Sequence, residues 1–289
     1  MPHVLVVVPA FNPGPYLKAA LTGVCNQTWR DWECIVVDDG SVEDLSWVAG
    51  FDPRVRLLRK ANGGPASARN FGVQSSEAPL IAFLDQDDLW EPGKIEAQVE
   101  EQQRTGASLV STTFRFIDKR GRTTGAGYPS SARTYNDLLR GNPICASSVM
   151  TTRAALTSAG GFDSRFPGVD DWDAWLRIAQ LGQPLAHVEL PLVAYRLHDD
   201  NLSSRYARMW RVSVRVLVHH LLRALKSTDW AAAWAAASGT RRMGQIFGAQ
   251  AYDSFRLKRG PADLVWALVL SPRYTSSALA RKLLRGALR

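Results

Sequence analysis

Two apolar runs end in clustered aspartates: Cys34-Ile35-Val36-Val37 leads into Asp38-Asp39-Gly40-Ser41, and Leu80-Ile81-Ala82-Phe83-Leu84 into Asp85-Gln86-Asp87-Asp88. A third acidic pair, Asp170-Asp171, precedes Trp172, Trp175, Leu176 and Ala179, whose i, i+3, i+4, i+7 spacing marks one buried helical face. Asp170 and Asp171 therefore stand at the amino end of that helix. Carboxylates gathered at the ends of structural elements hold a cation or the hydroxyls of a ligand, so the chemistry to look for is that of an acidic cleft.

The two apolar runs read as buried strands of a parallel sheet. In open α/β sheets ligands bind beyond the carboxyl ends of the strands, so both clusters are expected to project into one crevice. Around them strand and helix patterns alternate. Strands are predicted at 3–8, 34–38, 55–59, 80–84 and 108–113, with helices at about 14–27, 65–75 and 92–105 and a short one near 43–49. This is the pattern of a doubly wound α/β domain. Pro65 after Asn62-Gly63-Gly64 marks a helix start, a place suited to a phosphate. Asp118-Lys119-Arg120-Gly121 reads as a hairpin turn, followed to residue 134 by a Gly/Thr/Ser/Pro-rich loop expected to lie over the cleft.

The 289 residues and 46% apolar content suit one large α/β domain plus an appendage. Cys25, Cys34 and Cys145 form no metal-like pair, which predicts reduced thiols and a cytoplasmic setting. Residues 3–8 enter a strand at once, with no basic segment or signal-peptide core ahead of them, and the longest uncharged apolar runs fall far short of a membrane span.

Charge is uneven. From residue 204 onward there are 16 Lys and Arg against 3 Asp and Glu, whereas the preceding part carries 19 against 24. The tail is read as helical. Trp210, Val214, Leu217, Val218, Leu221 and Leu225 form the expected apolar face, with Arg208, Arg211, Arg215, His219, Arg223 and Lys226 on another; further helices are predicted near 229–238 and at 278–288. Such basic amphipathic helices, with Trp230, Trp234 and Trp266, suit an anionic membrane surface better than a nucleic acid, so no nucleic-acid partner is expected. A solvated packing or dimerisation face is the structural alternative.

Taken in order, Val8-Pro9-Ala10-Phe11-Asn12, Val37-Asp38-Asp39-Gly40-Ser41, Ala68-Arg69-Asn70, Leu84-Asp85-Gln86-Asp87-Asp88, Asp170-Asp171-Trp172 and Tyr195-Arg196-Leu197-His198 resemble the motifs of glycosyltransferase family 2. The resemblance covers about residues 3–200 and implies a GT-A fold, a Rossmann-like, doubly wound mixed sheet, over 1–204; it leaves the tail unexplained, and the basic helical pattern at 205–289 is read as an appendage to that domain. It implies an inverting transfer of sugar from a nucleoside diphosphate, UDP- or dTDP-linked, to a glycan or lipid-linked acceptor in cell-surface polysaccharide synthesis. The setting implied is cytoplasmic, peripheral at the inner membrane face.

Position by position, the resemblance implies that Phe11 stacks on the base, Pro9 shapes its loop and Asp39 accepts a hydrogen bond from the base. Arg69 and Asp85 serve the donor, Asp85 at the ribose or a metal-bound water. Asp87, with His198, holds Mn2+ or Mg2+, and Asp171 is the catalytic base. Asp38 is expected to support its turn and Asp88 to cap the one that follows it. Each has a plainer reading: Phe11 as core, Arg69 as a surface ion pair, Asp171 as a helix cap, His198 as a structural histidine. Two other functions are weighed. A nucleotidyltransferase would want a basic glycine-rich turn after the first strand, where this chain has Pro9-Ala10-Phe11-Asn12-Pro13-Gly14-Pro15; a silent nucleotide- or glycan-binding module would be expected to lose Asp87 or Asp171.

Overall fold

The computed structural model describes residues 3–127, 132–198, 206–240 and 242–243. It divides into two units, one formed by Met1–Leu138 with Asn142–Asp199 and the other by Leu139–Gly141 with Asp200–Arg289.

The first unit is built on a mixed sheet. Its elements in chain order are β1 (Val4–Ala10), α1 (Tyr16–Cys25), β2 (Trp32–Asp38), a 3-10 turn (Ser46–Gly50), β3 (Val55–Arg59), α2 (Pro65–Gln74), β4 (Leu80–Phe83), β5 (Leu89–Trp90), α3 (Lys94–Thr105) and β6 (Leu109–Ile117). There follow β7 (Thr123–Ala126), α4 (Tyr135–Arg140, whose last two residues are assigned to the second unit), β8 (Val149–Thr152), α5 (Arg153–Ser158), α6 (Asp170–Gln180) and β9 (Leu185–Arg196). Among the described residues the strands lie in the order β3-β2-β1-β4-β8-β6-β9-β5, with β7 paired to β6.

β3, β2, β1 and β4 run parallel; β8 is antiparallel to both β4 and β6, and β9 returns parallel to β6. The chain winds outward from β1 through β2 to β3, then crosses to β4 on the other side of β1. Strand order reverses there, which opens a crevice at the carboxyl ends of β1, β2 and β4.

Both faces of β1 and β2 are covered, which is why these strands are continuous apolar runs rather than alternating ones. Val4, Val6 and Val8 pack with Leu17, Leu21 and Val24 of α1 and Ile95 and Val99 of α3. On the opposite face α2 lies so close that a Cβ on Gly72 would stand 2.6 Å from Val7. α6 buries the expected Trp172, Trp175, Leu176 and Ala179, with Trp175 tilted against Phe83 and edge-to-face with Phe162.

The structure departs from sequence expectation in several places. The helix expected at 43–49 is a 3-10 turn over Ser46–Gly50, the loop expected after the 118–121 turn holds β7, and β8 and the first half of β9 stand where the sequence pattern predicts no element. Asp118–Gly121 does form the predicted turn, closed by the Gly121 N–H on Asp118 O.

In the second unit α7 (Tyr206–Lys226) is followed by a helix over 230–240, α8. α7 buries Met209, Ser213, Val216, Leu217, His220 and Ala224, a stripe one residue, or about 100°, from the face expected from sequence. Of that expected face, Val218 and Leu225 are exposed. The helix expected at 278–288, and Trp266, lie outside the described residues. No described helix is long and apolar enough to cross a membrane.

Candidate active site

The turn after β2 is set by its own residues. The Ser41 N–H donates to Asp38 Oδ1 at 2.7 Å, so Asp38 supports the turn as expected. Gly40 has φ +81°, and a Cβ there would stand 2.9 Å from the Asn62 backbone nitrogen, leaving room for glycine alone. Asp39 is buried, and its carboxylate accepts from Lys60 Nζ (2.7 Å), Gly63 N (3.0 Å) and Gly64 N (2.7 Å). Two amides of the glycine turn ahead of α2, where a phosphate is expected, are thus bonded to Asp39. Pro65 does begin the helix.

α2 carries Arg69 inward. Its side chain is buried, with Nη2 2.7 Å from Asp85 Oδ1 and Nη1 2.7 Å from Asp170 Oδ2. One guanidinium thus joins the end of β4 to the first residue of α6. Burial alone would lower the pKa of Arg69, but the carboxylates of Asp85, Asp170 and Asp171 more than offset this and hold it charged. The neighbouring Asn70 grips Phe162 through both its backbone groups, at 2.8 and 2.9 Å, fixing the approach to α6.

Asp171, beside Asp170, is partly exposed and accepts from the Trp172 N–H at 2.7 Å. Burial, then the charge of Asp170, push its pKa up to about 7, against the pull of Arg69 and the Trp172 N–H. A carboxylate poised there is suited to general base chemistry near neutral pH. Asp85 is raised too, first by burial and against the pull of Arg69.

Asp87 Oδ2 lies 2.7 Å from His198 Nε2. The histidine ring stacks near Tyr16, centroids 5.3 Å apart, and Arg196 lies 4.7 Å over the same tyrosine ring while donating from Nε to the Asp87 carbonyl at 2.8 Å. Asp88 caps no turn. It is buried, accepting from Ser147 Oγ at 2.6 Å and from the Arg196 N–H at 2.9 Å, because the short turn ahead of β8 and the last residue of β9 bring those donors to the end of β4. No group of three or more His, Cys, Asp or Glu side chains able to hold a metal occurs among the described residues. A carboxylate and an imidazole side by side nonetheless fit Mn2+ or Mg2+, which commonly complete their shells with waters and substrate phosphates.

Pro9 lies in β1 opposite Val37 of β2, and Phe11, just beyond the strand, is 47% exposed at the crevice rim. The structure therefore connects Arg69, Asp85, Asp170 and Asp171 in one network and Asp87 with His198 two residues further on. Asp39 joins the same end of the sheet through its N–H on Ala10 O. Sequence reasoning gave no role to Lys60, Gln86, Ser147 or Arg196. Gln86 and Arg196 stand inside quoted motifs, which is the only local signal for them; Lys60 and Ser147 have none.

Residues 5–158 match the family described as Glycosyl transferase family 2. This chain belongs to that family. The chain is 31% identical over 204 residues to an uncharacterized glycosyltransferase of Rickettsia bellii, covering 68% of this chain and 29% of that protein. It is 30% identical over 210 residues to a chondroitin synthase of Escherichia coli, covering 70% of this chain and 30% of the relative. The chain thus spans about three tenths of the length of these two relatives.

A third relative is closer in length. It is a UDP-Glc:alpha-D-GlcNAc-diphosphoundecaprenol beta-1,3-glucosyltransferase of Escherichia coli, 28% identical over 218 residues, covering 72% of this chain and 84% of the relative. Among solved structures, Staphylococcus aureus TarS in complex with UDP-GlcNAc superposes with a TM-score of 0.64 at 15% identity, covering 92% of this chain and 79% of that one. That likeness shows the GT-A fold.

Proposed function

We propose that this glycosyltransferase moves a sugar from a UDP- or dTDP-linked donor to a hydroxyl of a glycan or lipid-linked acceptor in cell-surface polysaccharide assembly, with inversion at the anomeric carbon. The observation that carries the reading is the Arg69 bridge, which ties the helix start bearing Asp171 to the Asp85-Gln86-Asp87 segment. In the step proposed, the acceptor O–H gives its proton to the Asp171 carboxylate as the oxygen bonds to the anomeric carbon. The bond from that carbon to the diphosphate oxygen breaks, and its electron pair leaves with the nucleoside diphosphate. Phe11, Pro9 and Asp39 serve the base end of the donor, and Arg69 and Asp85 its sugar-phosphate end.

Asp87 and His198 would hold Mn2+ or Mg2+, which when bound neutralises charge on the diphosphate. The names of the relatives support this reading, since one uses UDP-Glc on a diphosphoundecaprenol-linked sugar and TarS was solved with UDP-GlcNAc. The test is a screen of nucleotide sugars with Mn2+ or Mg2+, scored by thermal shift and slow donor hydrolysis. Asp171→Asn should keep donor binding and lose transfer by about 10²–10⁴-fold. Near-normal turnover in that variant would reject the assigned base.

The basic helix α7 and the tryptophans of α8 support a second element of the proposal, a peripheral seat on the anionic inner face of the cytoplasmic membrane. Val218, Leu222, Leu225, Trp230 and Trp234 are exposed, the two tryptophans at 70% and 74%, and the solvent face of α7 also carries Arg208, Arg215 and Lys226. Apolar side chains interleaved with cations suit an interfacial position. Trp230→Ser with Trp234→Ser should release the protein from anionic vesicles. Unchanged sedimentation with vesicles would reject this seat.

A further inference from the structure

We infer that Gln86, the residue between Asp85 and Asp87, is a positioning residue for the donor base, acting through Phe11. The inference rests on the nucleotide-sugar reading above. Along β1 the backbone groups of Val7, Pro9 and Phe11 face the β4 side, because successive residues of a strand alternate in direction. The regular ladder on that side ends when the Leu84 N–H donates to Val7 O at 3.1 Å. At the next step Pro9 has no N–H to leave unpaired.

Phe11 comes one step further on, where β4 has turned away. There the side chain of Gln86 takes the place of the missing strand. The Phe11 N–H donates to Gln86 Oε1 at 2.8 Å, and Gln86 Nε2 donates to Phe11 O at 3.3 Å. A single primary amide offers both a donor and an acceptor, so Gln86 extends the ladder by one rung.

That rung matters because the segment after it is held by outside groups rather than by its own regular structure. Asn12 has φ +43°, with its N–H on Ser41 Oγ at 3.0 Å and its Oδ1 receiving the Val42 N–H at 2.9 Å. The Gly14 N–H donates to Glu43 Oε2 at 3.0 Å. Phe11 is thus clamped between the Asp38–Ser41 turn on one side and Gln86 on the other, with its ring open to the crevice. Gln86 couples the exposed aromatic to the backbone that carries Asp85 and Asp87. Asparagine is one methylene too short to span the same gap, and glutamate lacks the donor and sets its charge against Phe11 O.

The experiment is a double-mutant cycle on the full chain, with UDP and with pyrophosphate as probes, each titrated calorimetrically in the presence of Mn2+. Gln86→Met should weaken UDP binding about tenfold, the loss of two backbone contacts, and leave pyrophosphate binding unchanged. It should raise KM for the donor more than it lowers kcat. In a Phe11→Ala background the same substitution should change UDP affinity less than about twofold, because its effect passes through the aromatic ring. If Gln86→Met fails to fold, Gln86→Asn, neutral but too short to reach Phe11, carries the same test.

Equal UDP affinity in wild type and variant, or a full effect persisting without the Phe11 ring, overturns the role of Gln86 alone. Wild-type protein that binds neither UDP nor dTDP with Mn2+ overturns the donor reading itself.

Discussion

Arg69 Nη1 stands 2.7 Å from Asp170 Oδ2, a contact between residues 101 positions apart in the chain whose side chains are 6% and 2% exposed. Removing Arg69 alone leaves the carboxylates of both Asp85 and Asp170 uncompensated, whereas removing Asp170 with it leaves only Asp85 so. Arg69→Met should therefore cost about 3–5 kcal/mol of stability. Arg69→Met combined with Asp170→Asn should recover part of it without restoring transfer, since Asp85 still lacks its cation. Chemical denaturation of the three proteins checks the prediction; equal destabilisation in the single and double variants would contradict it.

The pH profile follows from Asp171. Its pKa, pushed to about 7 by burial and by Asp170, means the carboxyl is protonated below that pH and unable to accept the acceptor's proton. kcat/KM should rise about tenfold per pH unit below 7 and level off above it. Asp170→Asn removes a charge that raises this pKa, so the rising limb should move to lower pH. A limb that stays in place would remove Asp171 from the role of base.

Gly40 gives a backbone test independent of catalysis. Its φ of +81° and the 2.9 Å that a Cβ would leave to the Asn62 nitrogen make alanine costly on two counts. Gly40→Ala should lose about 1–3 kcal/mol, read as a lowered Tm, and weaken UDP binding by shifting Asp39. A Tm within a degree of wild type would mean the turn relaxes freely.

What the sequence revealed, and what it hid, follows the reach of each interaction. β1, β2 and β4 were legible because strands buried on both faces must be apolar throughout, and the aspartates that end them mark where burial stops. β8 was not legible: Val149-Met150-Thr151-Thr152 is four residues with no alternation, made a strand only by antiparallel neighbours far along the chain. The apolar face of α7 was misplaced by one residue. Apolar side chains occupy most of that helix's circumference, so the stripe that is buried depends on tertiary packing and not on periodicity.

At the site the same division holds. The types of Asp87, Asp171 and Arg69 suggested their chemistry, but nothing local could show that Arg69 would bridge two acidic segments. Nor could it show that Asp88 would turn inward to Ser147 and Arg196. Those facts exist only once β8, β9 and α6 are in place.

Lys94 tests the physics of the core. It is fully buried at the start of α3, with Nζ 2.6 Å from Gln98 Oε1 and 3.9 Å from the Trp90 ring centre, and both of these partners are neutral. Burial lowers its pKa to about 7, whereas in the unfolded chain a lysine titrates near its ordinary value of about 10.4. Between these values the unfolded state binds the extra proton, so folding stability should rise with pH from about 7 upward. Buried Cys34 and Cys145, whose pKa values are raised by burial, act in the opposite sense at higher pH. The clean window is therefore pH 7 to 8.5, before unfolded thiols lose their protons in number. Lys94→Met, which keeps the chain length and removes the charge, should be more stable than wild type at pH 7. The difference should shrink by about 1.4 kcal/mol per pH unit across that window. Urea titrations at pH 7 and 8.5 measure it directly, and a difference that does not change with pH would show that Lys94 keeps its proton inside the fold.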